Sequence, residues 1–205
     1  MSTSNGIRNI IFDFGDIFIN LDKPATLEEL KNFGFNEPTP EMQALAQNYE
    51  KGLISTAVFE ERLGRLIPKA SSKQIKDAWN AILKDIPPHR TAFLQELRAQ
   101  NKYRLFLLSN TNELHIQWVQ QDMGDEAYQD FKQQFDHFYL SYEMGMRKPD
   151  AEIYQQVLAE QGLLPEETLF IDDTEENTVT AARLGIRTWH LQVGKEDIVE
   201  LPKFL

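Results

Sequence analysis

Short apolar runs alternate with longer stretches of helical periodicity along most of the chain. Asn9–Phe14 contains Ile10-Ile11-Phe12 and runs into Asp13, the pattern of a buried strand. Comparable runs recur at Leu105–Leu108, around Phe135–Leu140, at Thr168–Ile171 and at Ile186–His190. Helical patterns separate them: one from His89 to Gln100, one from Glu113, and one over Thr174–Leu184 closed by Gly185. Pro149 is expected to open a further helix, whose apolar face is Ile153, Val157 and Leu158 and whose stop is Gly162.

The alternation is interrupted once. Between the first strand and Pro88 the pattern is helical throughout, with stretches at Thr26–Phe33, Glu41–Lys51, Thr56–Ile67 and Gln74–Lys84. Ser71 with Gln74 three residues on is a capping box before the last of these. Pro38, Pro40, Pro68 and Pro87-Pro88 punctuate the segment. Alternating buried strands and helices predict an α/β fold, a doubly wound parallel sheet covered on both faces. The all-helical stretch predicts an inserted helical cap. Residues 1–20 and 86–205 are therefore expected to form the core and residues 21–85 the cap.

Charge narrows the partners. The 205 residues carry 21 Lys and Arg against 32 Asp and Glu, a net charge of −11. Such a body repels nucleic acid and anionic membrane surfaces. No apolar run approaches the ~20 residues that cross a bilayer, and Met1–Arg8 has no apolar signal region. A cytoplasmic protein, monomer or homodimer, is the expectation. The absence of cysteine removes disulfides, thiolate metal sites and thiol nucleophiles together. Neither a P-loop nor a Gly-x-Gly-x-x-Gly motif is present, so no nucleotide cofactor is implied.

In open parallel sheets, ligands gather at the carboxyl ends of the strands. Polar clusters fall at those ends here: Asp13, Ser109-Asn110-Thr111-Asn112, Arg147-Lys148 before a helix, and Asp172-Asp173. Each alone has an ordinary explanation as a turn residue, a helix cap or a solvated side chain. Asp172-Asp173 is less ordinary, because adjacent carboxylates repel unless a cation separates them. Together the clusters supply the parts for phosphoryl transfer. Carboxylates can hold Mg²⁺, a carboxylate can attack phosphorus, and a hydroxyl and a lysine can clamp the phosphoryl oxygens.

The four motifs Ile-Ile-Phe-Asp13-Phe-Gly, Leu-Leu-Ser109-Asn-Thr-Asn, Gly-Met-Arg-Lys148-Pro and Phe-Ile-Asp172-Asp173-Thr-Glu-Glu-Asn177 resemble those of the haloacid dehalogenase-like hydrolase superfamily, in the same order. Tyr49-Glu-Lys-Gly-Leu-Ile-Ser-Thr and Ser109-Asn-Thr-Asn-Glu-Leu-His115 are similar to the bacterial branch that contains an α-glucose-1-phosphate phosphatase. The resemblance implies Asp13 as nucleophile and Mg²⁺ ligand. It implies the Gly15 carbonyl, Asp173 and Asp172 as further metal positions, and Ser109, Asn110 and Lys148 as residues that bind the phosphoryl group. Lys148 would also orient Asp13, and Asn177 would support the site. Most phosphatases of this superfamily place an acid two residues after the nucleophile. Here that residue is Gly15, and Asp16 is the nearby acid, as a proton donor or as a turn residue.

The resulting expectation is a Mg²⁺-dependent phosphatase acting on a small phosphorylated metabolite, a sugar phosphate and foremost a hexose 1-phosphate. The alternatives are a haloacid dehalogenase, against which the acidic pair argues, and a catalytically inactive sugar-phosphate-binding module. His115 reads as a surface or supporting residue, or as one lining the pocket. His89, His137 and His190 show no metal-binding pattern, and Met144 and Met146 read as packing around the site.

Overall fold

In the computed structural model, which describes residues 6–205, the first strand β1 (Asn9–Phe12) is buried at every position. Part of the reading of Met1–Arg8 lies outside the described residues. Burial at all four positions suits a strand flanked on both sides and covered on both faces. The helices α1 (Ala25–Lys31), α2 (Pro40–Glu50), α3 (Thr56–Leu66) and α4 (Ser72–Asn80) follow. Next come α5 (Pro88–Ala99), β2 (Arg104–Ser109), α6 (Glu113–Met123) and α7 (Asp125–Gln133). After β3 (His137–Leu140), α8 (Ser141–Met144) and α9 (Ala151–Gln161) come β4 (Thr168–Asp172), α10 (Glu175–Arg183) and β5 (Arg187–His190), followed by a 3₁₀ segment over Ile198–Lys203. Among the described residues the strands form one parallel sheet in the order β3-β2-β1-β4-β5.

This is the expected doubly wound α/β architecture. Its strand order reverses at β1, and such a switch point opens a crevice at the carboxyl ends of the strands. Phe12 pairs with Leu107 on one side and Ile171 on the other, so Asp13, the residues after Leu107 and those after Ile171 emerge along one edge. Alternate residues point to opposite faces. Ile10, Phe12, Leu105 and Leu107 pack with Phe18, Phe131, Phe135 and Phe138, while Ile11, Phe106, Leu108 and Phe170 pack with Ile153, Tyr154 and Val157.

Helices α1 to α4 have an apolar core of their own, built on Leu30, Leu45, Tyr49, Phe59, Leu63, Ile75 and Trp79, to which Leu114 of α6 contributes. The Ser71–Gln74 capping box forms as expected, with the Gln74 N–H donating to Ser71 Oγ (3.4 Å) and the Ser71 N–H to Gln74 Oε1 (2.9 Å).

Several boundaries differ from the sequence reading. The helix expected to reach Lys84 ends at Asn80, because residues 82–84 turn back along residues 20–22: the Asp22 N–H donates to Ile82 O (2.8 Å) and the Lys84 N–H to Asn20 O (3.0 Å). Pro149 does not begin a helix; it follows a cis peptide bond, Asp150 is extended, and α9 starts at Ala151. The strand expected from Phe135 begins at His137, since the Gln134 and Phe135 N–H groups complete the end of α7. Helices α7 and α8 carry periodicity too short to separate from their neighbours in the sequence.

Candidate active site

Asp13 leaves β1 with its N–H donating to Ile171 O (2.9 Å), which places its side chain at the centre of the carboxyl edge. Lys148, 1% exposed, reaches the same point from the segment before α9. Its Nζ lies 2.7 Å from Asp13 Oδ1 and 2.7 Å from Asp172 Oδ2. Asp172 Oδ1 also accepts the Thr174 N–H (2.8 Å), and Asn177 Nδ2 lies 3.0 Å from each Asp172 oxygen. Asp172 is thereby fixed from three directions, as a fully buried carboxylate must be.

Asp13, Asp172 and Asp173 each offer one oxygen, and these oxygens lie within 4.8 Å of one another. Burial pushes the Asp13 carboxyl up to about 7; Lys148 opposes the rise, and Asp172 and Asp173 add to it. Burial also works to lower Lys148, but the carboxylates of Asp13 and Asp172 overcome it and hold the ammonium above its ordinary range. Three convergent carboxylates with one buried ammonium form a hard, oxygen-rich donor set that fits Mg²⁺.

The loop after β2 is organised around Lys148. Asn110 Nδ2 donates to Lys148 O and the Lys148 N–H donates to Asn110 Oδ1, both at 2.8 Å. The Asn110 side chain, expected on the phosphoryl group, thus holds the Lys148 backbone. Ser109, the last residue of β2, is buried beside it at the sheet edge. Ser141 Oγ accepts the Thr111 N–H (2.9 Å) and donates to Glu50 O (2.7 Å), joining this loop to the end of α2.

Gly15 stands in the turn directly after Asp13. A Cβ there would lie 2.7 Å from Leu21 Cδ1, so an aliphatic side chain fills the direction in which an acid at this position would point. Asp16 adopts a left-handed φ of 55°. Its Oδ1 accepts the Leu21 N–H (3.0 Å) and its Oδ2 lies 3.1 Å from Lys23 Nζ. Both oxygens are engaged, the arrangement of a turn residue.

Two further neighbours of the site, Lys23 and His190, carried no sequence signal for it. Lys23 Nζ lies 2.6 Å from Asp173 Oδ2, across 150 residues of chain. His190 Nε2 lies 3.0 Å from Asp173 O. Arg147 pairs with Glu50 (3.0 Å) and Lys51 with Asp150 (2.7 Å), so ion pairs tie the segments on either side of Lys148 to the end of α2. Thr56 Oγ1 hydrogen-bonds Glu113, and Tyr49 OH accepts the Leu114 N–H (3.2 Å). His115, half-buried, lies in the neighbouring contact of α4 with α6, against Trp79, a supporting position. Met144 and Met146 pack against the core face that contains Ile11 and Phe106. A cleft of about 430 Å³ lined by Arg8, Lys102 and Arg104 contains none of these residues.

The haloacid dehalogenase-like hydrolase family matches residues 7–185. A D-ribitol-5-phosphate phosphatase of Bacteroides thetaiotaomicron is 27% identical over 97% of this chain and 98% of its own. The crystal structure of a HAD family enzyme from the same organism superposes with a TM-score of 0.84 at 37% identity, covering 98% of this chain and 99% of that one. That enzyme has also been crystallised in complex with magnesium and inorganic phosphate. A HAD-like family hydrolase of Porphyromonas gingivalis superposes with a TM-score of 0.80 at 32% identity over 97% of both chains. No helix among the described residues is long and apolar enough to cross a membrane. The chain belongs to the haloacid dehalogenase-like hydrolases, as an enzyme with a phosphatase among its curated relatives over nearly its full length.

Proposed function

We propose that the protein is a Mg²⁺-dependent phosphatase that hydrolyses a small sugar or polyol phosphate through an aspartyl-phosphate on Asp13. The observation that carries this reading is the linkage of Asp13 and Asp172 by the buried Lys148 ammonium, with Asp173 alongside. Asp13, Asp172, Asp173 and the Gly15 carbonyl are the groups that would hold the cation. When bound, it supplies positive charge that offsets repulsion between a carboxylate nucleophile and a phosphate dianion.

Lys148 holds Asp13 Oδ1 and so leaves attack on phosphorus to Oδ2. The Oδ2–P bond forms as the bond from phosphorus to the leaving-group oxygen breaks. A water then attacks phosphorus, releasing phosphate and restoring the carboxylate. An ammonium has three donors; two serve Asp13 and Asp172, and the third is available to a phosphoryl oxygen beside the Ser109 hydroxyl. With Gly15 and Asp16 placed as they are, the leaving oxygen takes its proton from water or from the substrate itself.

Residues 21–85 act as a cap in this proposal, limiting the substrate to a small monoester. The relative's substrate favours a pentitol 5-phosphate, and the motif resemblance favours a hexose 1-phosphate. A phosphate-release screen with Mg²⁺ over sugar and polyol phosphates, with 2-haloacids assayed in parallel for halide release, tests the proposal. Turnover of a small sugar or polyol phosphate is expected. Halide release without phosphate release would make the protein a dehalogenase, and binding without turnover would make it an inactive binding module.

A further inference from the structure

Four carboxylates meet two ammonium groups at the carboxyl edge of the sheet, and the two ammoniums are not equivalent. Lys148 lies beneath and is 1% exposed; it serves Asp13 and Asp172. Lys23 lies at the mouth with its side chain 56% exposed; it serves Asp173 Oδ2 at 2.6 Å and Asp16 Oδ2 at 3.1 Å. Its backbone belongs to the first crossing into the insertion, where Leu21 bridges to Leu83 and the Asp22 N–H donates to Ile82 O.

We propose that Lys23 is a built-in competitor of the divalent cation for Asp173, a positioning residue that sets how tightly the site loads. The proposal rests on the reading of Asp173 as a metal position. Only the ammonium end of the Lys23–Asp173 pair is open to solvent, and water can take its place there, whereas a divalent cation brings twice the charge to the same oxygen. Asp16 gives the ammonium a second place to rest once Asp173 is taken, because both of its contacts are within reach of one Nζ. Loading the cation therefore unfastens the first crossing of the insertion from the loop between β4 and α10. Coupling of this kind is reciprocal: whatever holds Lys23 on Asp173 weakens cation binding.

Two substitutions separate the competitor from a structural residue, because they act in opposite directions. Lys23→Met removes the competing charge and should tighten cation binding by about tenfold. Asp16→Asn keeps an acceptor for the Leu21 N–H and tolerates the left-handed φ, but it loosens the second resting place and should weaken binding by about threefold. Lys23→Arg keeps the charge and should stay within about twofold of wild type. The measurement is Mn²⁺ binding to the intact protein without substrate, followed by electron paramagnetic resonance of free Mn²⁺, with Mg²⁺ calorimetry beside it. Unchanged or weaker binding in Lys23→Met overturns the proposal while leaving the metal site in place, provided that Asp173→Asn loses affinity. Equal binding by wild type and Asp173→Asn would remove Asp173 from the metal site, and this proposal with it.

Discussion

Trp79 of α4 lies stacked on His115 of α6, with ring centroids 5.4 Å apart and planes inclined by 22°. Asn112, three residues before His115, orders the contact. Its Oδ1 accepts from Trp79 Nε1 (3.3 Å) and from the His115 N–H (3.1 Å), which turns its Nδ2 toward His115 Nδ1 (3.1 Å). Nδ1 must therefore accept, and Nε2–H donates to Trp79 O at 3.2 Å. Only a neutral imidazole satisfies this arrangement.

Burial, partly opposed by the hydrogen bond to Trp79 O, lowers the His115 pKa from 6.5 to about 4. Between those values the unfolded chain binds more protons than the folded one, so stability falls as pH drops. The contribution is complete above about 6.5 and is lost as pH falls through about 4. It amounts to about 3 kcal/mol at most. Urea denaturation of wild type and His115→Gln at pH 7, 5.5 and 4.5 checks this. The wild type should lose more stability than the variant over that span.

Asp13→Asn should abolish turnover while the fold survives, because an amide oxygen cannot form the phosphoenzyme. It also gives up the charge that holds Lys148. Lys148→Met should lower kcat by at least about 10³-fold, the scale of losing a charge-stabilising donor. It leaves Asp13 and Asp172 buried without their shared cation, so thermal stability should fall in this variant and not in Asp13→Asn. Phosphate release and thermal melts together read both effects.

Asn177→Ala removes the amide that lies 3.0 Å from both Asp172 oxygens. A buried carboxylate that loses a donor is destabilised by about 1–3 kcal/mol. Asp172 should then orient less sharply, and the Mg²⁺ concentration for half-maximal activity should rise several-fold. Asn177→Asp should be worse, since it sets a like charge against Asp172.

Gly52 has a φ of 64°, and a Cβ there would stand 2.0 Å from Tyr142 O, a backbone atom that cannot step aside. Gly52→Ala should therefore push the end of α2 off the segment after β3, at a cost of about 3 kcal/mol. Glu50 and Lys51, which pair with Arg147 and Asp150, lie next to it. Activity should fall with stability, whereas Leu53→Ala, at an exposed neighbouring position, should change neither.

Chelation tests the metal reading directly. Activity should vanish in excess EDTA and return with Mg²⁺. Ca²⁺ should restore it poorly, because its looser coordination misplaces reacting oxygens.

The parallel sheet and the helical interruption were legible because burial on two faces leaves continuous apolar runs, and helices leave a 3.6-residue period. Asp13, Ser109, Lys148 and Asp172-Asp173 were legible because each sits at the end of such a run or beside a helix start, where the polypeptide must turn polar. Lys23, His190 and the Asn112–Trp79–His115 contact left no such mark. Lys23 meets Asp173 across 150 residues and Trp79 meets Asn112 across 33, and no local period records pairings of that separation.

The sequence by itself determined the strands, the order of the polar motifs and the excess of carboxylates, because these follow from neighbours in the chain. Only the tertiary structure decided which groups hold the carboxylates. It placed Lys148 between Asp13 and Asp172, Lys23 between Asp16 and Asp173, Asn110 on the Lys148 backbone, and Leu21 against Gly15. Those assignments depend on sheet order and on the crossing of residues 20–22 against 82–85, where segments far apart in the chain converge on one edge and compete for the same few oxygens.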